Sequence, residues 1–192
     1  VATHPVQYYV PLFRALAHHL NIRVFYAFKA AAEDQAKAGF NVGFEWDIDL
    51  YSGYEFEFLE NVSKRPGLDH FGGLDTPAIH KKLLKDKYQA VLLLGWYRKC
   101  FVQALIISKL RGLPVMVRGD SHLLTPRSWF KKFVKRITFP LFLKLFNAAL
   151  VVGRRNRAYW LYYGYQKSRI FDSPHCVDNR WFTEKSHSLD PD

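Results

Sequence analysis

The chain has 192 residues, enough for one domain with a sizeable core, and its 49% hydrophobic and 17% aromatic content excludes a disordered polymer. Twenty-eight Lys and Arg against 17 Asp and Glu leave a formal net charge of +11, which points to an anionic partner: a membrane surface, a nucleic acid or a phosphorylated substrate. Cys100 and Cys176 make neither a CxxC pair nor a disulfide framework, so a reducing, cytoplasmic compartment is expected, and no run of about eighteen apolar residues offers a membrane span. No basic stretch followed by an apolar core marks a signal peptide at the N-terminus, which leaves the Asn61-Val62-Ser63 glycosylation pattern to chance.

The opening Val1-Ala2-Thr3-His4-Pro5 reads as the end of a first strand. Pro11 suits the first turn of a helix, and Phe13, Leu16, Ala17 and Leu20 follow at the spacing of one helical face. Residues 22–28, rich in β-branched and aromatic side chains, read as a strand. Residues 29–39 are polar and Ala-rich. Residues 45–50 and 54–59 alternate, as two short strands would, between Gly43, Gly53 and a Pro66-Gly67 turn.

Thr76-Pro77 reads as a helix cap and first-turn proline, with the helix running to about Lys85. The apolar run 89–94 predicts a strand buried on both faces. Residues 101–110 form the next helix, ended by Gly112 and Pro114, and 114–117 the next strand, so that strand, helix and strand make a parallel βαβ unit. The alternation continues with an apolar-basic segment at 128–146 containing Pro140, a strand at 148–152, a helix at 156–163 ended by Gly164, and a strand at 169–172. The fold class is therefore α/β: a Rossmann-like domain over residues 1–182, with a mostly parallel sheet flanked by helices. The polar residues 183–192 read as the start of a linker.

In open α/β sheets ligands bind beyond the carboxyl ends of the strands, which selects four loops. They carry His4 and Gln7; Gly95 and Trp96; Arg118, Asp120, Ser121 and His122; and Gly153 and Asn156, the last with Arg154 and Arg155 between. A crevice lined by these groups suits a hydroxylated or anionic ligand. Each has a plainer role open to it: His4 as a helix cap, Trp96 as core packing, Asp120 as a turn residue, the arginines as a solvated helix start. The pair His18-His19 has no matching ligands, so no metal is expected, and GxGxxG, GxxxxGK[ST] and GxSxG are all absent from the sequence.

Residues 129–137 carry a further pattern. On a helical wheel Trp129, Phe130, Phe133, Val134 and Ile137 fall on one side and Lys131, Lys132, Lys135 and Arg136 on the other, the pattern of a basic helix lying in a headgroup layer. The same pattern serves a helix packed on a sheet with lysines toward water.

The segment Thr3-His4-Pro5-Val6-Gln7-Tyr8-Tyr9-Val10-Pro11-Leu12-Phe13-Arg14-Ala15-Leu16 resembles the opening of many bacterial family 4 glycosyltransferases. Gly53-Tyr54-Glu55-Phe56, Phe71-Gly72-Gly73-Leu74, Gly95-Trp96, Pro114-Val115-Met116-Val117-Arg118-Gly119-Asp120-Ser121 and Ser173-Pro174-His175-Cys176-Val177-Asp178-Asn179-Arg180-Trp181-Phe182 are similar to later segments of the same group. The resemblance implies the N-terminal half of a GT-B fold, which holds a glycan or lipid-linked acceptor. A C-terminal half would bind the nucleotide-sugar donor, and the N-terminal half would not transfer sugar without it. It implies retaining transfer that needs neither a protein nucleophile nor a metal or other cofactor, and an enzyme of polysaccharide biosynthesis peripheral to the inner face of the plasma membrane. Where many relatives carry a His in the loop after the central strand, this chain has Asp120, so a catalytic contact from that loop would fall to Asp120, Ser121 or His122, with His4 opposite. A basic nucleic-acid-binding domain, without a recognisable module, and half of another GT-B enzyme such as an epimerase are the competing readings.

Overall fold

A computed structural model describes residues 1–32, 42–44, 46–125 and 128–189. Residues 33–41, Glu45 at the head of one expected strand, and 190–192 of the expected linker lie outside the described residues. The chain runs α1 (Val10–Ala17), β1 (Arg23–Tyr26), β2 (Glu55–Phe58), α2 (Ala78–Lys85), β3 (Val91–Leu93), α3 (Lys99–Leu110), β4 (Val115–Gly119), α4 (Trp129–Leu143), β5 (Ala148–Val151), α5 (Arg154–Tyr162), β6 (Ile170–Asp172) and α6 (Asn179–Leu189), with single 3-10 turns at Phe71–Gly73 and Lys167–Arg169.

Among the described residues every strand pair is parallel: β1 with β2, and β3, β4, β5 and β6 in that order. Val1 and Ala2 join the two groups. The Ala2 N–H donates to the Phe25 carbonyl at 2.9 Å and Ala27 returns the bond at 3.0 Å, while on the other side Val1 bonds the Leu92 carbonyl and accepts from Leu94. Taken with this stub, the sheet order is β2, β1, stub, β3, β4, β5, β6, and the direction of winding reverses between the stub and β3. Right-handed crossovers then send α1 to one face and α3 to the other.

The strands carry that division in their side chains. Phe25, Ala27, Val91, Leu93, Val115 and Val117 face a large core closed by α2, α3, the end of α4 and α5, in which Trp160 is fully buried. Val24, Tyr26 and Leu94 face the other way, onto Phe13 of α1. This second face is only partly covered. Leu92, Met116 and Leu150 are half-buried along a groove of about 1000 Å³, so β3 is not the doubly covered strand that its apolar run predicts. A strand flanked by helices on one side only keeps the same composition, because its open face is apolar too.

Two other expectations change. Residues 46–50 form bends rather than a strand, because the Asp49 carboxylate accepts from the Tyr51 and Ser52 N–H groups at 2.8 and 3.3 Å, a local bond that competes with sheet pairing. Thr76 does not cap α2 with its hydroxyl: Pro77 occupies the cap position, and the Thr76 N–H is drawn instead to Gln103 Oε1 at 2.9 Å. Residues 183–189 are helical. The Trp181 N–H bonds Asp178 Oδ1 at 3.1 Å, which gives α6 its start.

Arg14, on the solvent side of α1, fastens this helix to its surroundings. It donates to the Asp49 carbonyl at 2.8 Å and to Ser52 at 3.1 Å, and it stands 3.8 Å from Asp178. Asn61 of the glycosylation pattern is likewise engaged, its Nδ2 on the Gly73 carbonyl at 2.8 Å and its Oδ1 accepting from Asp75 at 3.0 Å. Among the described residues no helix is long and apolar enough to cross a membrane.

Candidate functional site

The reversal of winding leaves a gap at the carboxyl end of the sheet between the loop after the stub and the loop after β3, and a cavity of about 250 Å³ opens there. Its walls come from Thr3, Gly95, Trp96, Arg98, Arg118, Asp120, Ser121 and His175, with Tyr9 of the turn leading into α1. With Val152 after β5, five of the loops that follow strands therefore converge on one space.

Two glycines set how closely the walls approach. Gly95 sits at φ 140°, in the region where side chains are strained, and a β-carbon on it would fall 2.7 Å from the Phe101 ring. At Gly119 the backbone is ordinary but a β-carbon would fall 2.7 Å from Trp96 Cζ3. Trp96 thus presses the edge of its six-membered ring against the end of β4. Its other neighbours are aromatic: Trp160 edge-on at 5.4 Å and Tyr159 stacked at 6.3 Å. It is at once core packing and crevice wall.

Arg118 projects from β4 on the opposite side of the strand from Val117 and is only 2% exposed. Its Nε donates to Ser173 Oγ at 3.1 Å and its Nη2 to the Ser173 and Pro174 carbonyls at 3.1 and 3.2 Å, with His175 Nδ1 at 3.4 Å. The Tyr9 ring lies 5.5 Å from the guanidinium carbon. Among the described residues Arg118 has no ion pair with a carboxylate, and this buried cation makes its hydrogen bonds to neutral acceptors and lies against a π face. A second guanidinium atom on the wall, Arg98 Nη1, is buried without a hydrogen-bond acceptor. Both favour a ligand rich in oxygen, and an anionic one most of all.

The titrating neighbours fit that setting. Burial, and then Arg118, hold the His175 imidazole below the ordinary histidine range, with Asp120 pulling the other way. The neutral ring can accept from Arg118 on Nδ1 and present Nε2–H. Burial raises the phenols of Tyr8 and Tyr9, which keeps both protonated as donors.

Of the site residues expected from sequence, Gly95, Trp96, Arg118, Asp120 and Ser121 line the cavity together. His4 and Gln7 stand half-buried in the first loop, outside the lining, with His4 Nδ1 3.0 Å from Thr3 Oγ1. His122 is exposed beyond the rim. Asn156 is buried, and its amide braces the loops, donating to the Ser121 carbonyl at 2.7 Å and accepting from the Val152 N–H at 3.4 Å. Gly153 is exposed at the head of α5, where a β-carbon would meet nothing. Tyr9 and His175 were not anticipated. The rule that selected the other loops reaches His175 as well, since it follows β6; Tyr9 carries no such signal, because its position depends on how α1 begins. Among the described residues no group of three His, Cys, Asp or Glu side chains is placed to hold a metal. Comparison with protein-family models and with curated proteins finds no match to this chain.

Proposed function

We propose that this chain is the acceptor-side domain of a GT-B glycosyltransferase similar to family 4, one that transfers a sugar from a nucleotide-sugar to a glycan or lipid-linked hydroxyl. The observation that supports it is the convergence of Trp96, Arg118, Asp120 and His175 on one crevice at the winding reversal. Trp96 offers an apolar edge beside a pyranose face, Arg98 and Arg118 offer donors to acceptor oxygens, and the Asp120 carboxylate accepts a hydrogen bond from the reacting hydroxyl. In the transfer the acceptor oxygen bonds to the anomeric carbon, the bond to the diphosphate breaks, and the acceptor proton passes to the departing diphosphate oxygen. Positioning is the part these residues supply. Donor binding belongs to a second domain facing the crevice, and retention of configuration is the stereochemistry the resemblance favours. The free thiols of Cys100 and Cys176 accord with a cytoplasmic setting, which we take to be peripheral to the inner face of the membrane.

The test is binding. Calorimetric titration of the chain with UDP- and GDP-sugars yields no micromolar dissociation constant, whereas saccharide-array screening retains acidic or phosphorylated glycans, and Asp120→Asn and Trp96→Ala abolish that retention. A micromolar constant for either nucleotide-sugar, or retention indifferent to both substitutions, overturns the reading.

A further inference from the structure

The +11 charge is not spread over the molecule. Residues 121–171 hold eleven Lys and Arg and not one Asp or Glu, while the other 17 cations are matched by all 17 acids. The whole net charge therefore comes from one continuous quarter of the chain, residues 121–171: the loop after β4, then α4, β5 and α5, where Arg157 alone of the three arginines of α5 pairs with an acid in the described residues, Asp172 just beyond, at 2.8 Å. The same segment carries a run of exposed apolar side chains. Trp129, Phe130 and Phe133 are 77%, 60% and 56% exposed, and Ile137, Leu141 and the loop residues Leu123 and Leu124 are exposed with them.

The exposure has a direction. At about 100° per residue, Trp129, Phe130, Phe133, Ile137 and Leu141 occupy an arc of about 120°, and Lys135, Phe139, Phe142 and Leu143 occupy the opposite side. The latter set meets the body: Phe139 lies edge-on to Tyr163 at 4.9 Å, Leu143 is buried, and Lys135 hydrogen-bonds the Tyr159 hydroxyl with its ammonium 4.3 Å from the Phe139 ring. Lys135 is therefore part of the packed side rather than of a solvent-facing basic side, because three aromatic rings offer its charge their faces. The core leaves the outward apolar arc uncovered. Lys132 and Arg136 are exposed on the same helix and Lys144 just beyond its end, and Arg136 lies over Tyr162 of α5, which is exposed in turn. The side chain of Lys131 lies outside the described residues.

We propose that the outward arc of α4, with Leu123 and Leu124, seats the protein on an anionic lipid bilayer, the helix lying in the headgroup plane and its aromatics entering the acyl boundary. Charge selects this occupant. A second copy would bring one strongly cationic surface against another, whereas anionic headgroups neutralise it, and Trp and Phe beside Lys and Arg suit a boundary that is apolar below and charged above. This sharpens the peripheral placement above but does not rest on sugar transfer. Because the loop 120–125 links the crevice wall at Asp120 and Ser121 to the arc, the bilayer would lie beside the mouth of the crevice.

The test is co-sedimentation of the chain with vesicles of pure phosphatidylcholine and of phosphatidylcholine with about one third phosphatidylglycerol. The expected result is strong binding to the anionic vesicles, at least tenfold weaker binding to the neutral ones, and loss of about tenfold or more in each of two variants: Phe133→Ser with Ile137→Ser, and Lys132→Glu with Arg136→Glu. All four side chains are exposed, so an unchanged circular dichroism melt keeps the comparison valid, and the single change Trp129→Ser, which should abolish a blue shift of fluorescence on vesicle addition, supplies a second readout. Equal sedimentation of wild type and the Ser variant overturns the proposal. So does a wild-type dimer in sedimentation velocity that the Ser variant abolishes, or tight binding to single-stranded DNA with vesicles left unbound. Vesicle binding with no glycan retention would uphold this surface and remove the acceptor reading alone.

Discussion

The Trp96 indole lies so close to Gly119 that a β-carbon there would stand 2.7 Å from its Cζ3, a separation that forces movement. The contact ties the loop after β3 to the end of β4 and fixes one wall of the crevice. Because the Gly119 backbone is not in the positive-φ region, Gly119→Ala tests sterics alone. We expect a loss of about 1–3 kcal/mol by urea unfolding, the usual cost of one extra carbon in a packed site. Trp96→Leu in the same chain should recover part of it, so the double-mutant cycle shows a coupling of opposite sign to the single losses. Additive losses would mean that Trp96 does not press on Gly119.

Arg118 is the other fixed point, holding residues 173–175 to β4 with its planar fork. Arg118→Met keeps the apolar stem but leaves the Ser173 and Pro174 carbonyls without a donor. The expected cost is about 2 kcal/mol, the range for hydrogen bonds from a charged group. Lys has no fork and should restore less than half of it. Hydrogen exchange should quicken in residues 173–178 before it does in β4. Uniform exchange in both would place the loss in the core rather than in the clamp.

The alternation of strands and helices was legible because β3, β4 and β5 are short apolar runs punctuated by Gly112, Gly153 and Gly164, and the parallel order follows from that alternation. The stub at Val1 and Ala2 is too short for any periodicity, yet it decides where winding reverses. What stayed illegible depends on competition at single groups. Asp49 looks like an alternating strand residue until its carboxylate takes the Tyr51 and Ser52 amides. Asn156 looks like a ligand-loop residue until its amide is spent on Ser121. Helical periodicity at 129–137 gave the apolar face correctly but not its direction, since only packing tells an inward face from an outward one, and it placed Lys135 with the exposed cations although three rings enclose it.

The two cysteines should separate cleanly by reactivity. Cys100 lies fully buried at the start of α3, and burial pushes its thiol up to about 12, so neither access nor ionisation favours attack. Cys176 is exposed in the segment after β6. A thiol-disulfide reagent at pH 8 should titrate one thiol promptly and the second only in denaturant. Prompt reaction of both would show that α3 opens readily from the sheet.

His175 sets a pH dependence whose sign is fixed by its surroundings. Burial first, and the Arg118 guanidinium second, hold its folded pKa below the ordinary value of about 6.5, against the opposing pull of Asp120. The neutral ring is thus favoured in the folded protein, and as pH falls the unfolded chain takes up this proton first. The contribution to stability is present in full above about pH 6.5, shrinks as pH falls below it toward the depressed folded value, and changes no further once both states are protonated. His175→Gln should remove that part of the decline and leave stability above pH 7 nearly unchanged. The neighbours can be separated by following the His175 ring by NMR. Asp120→Asn removes the one raising influence and should lower its titration midpoint further, whereas Arg118→Met should raise it. A wild-type midpoint at or above about 6.5, or a midpoint unmoved by either substitution, would place His175 outside the field of the crevice.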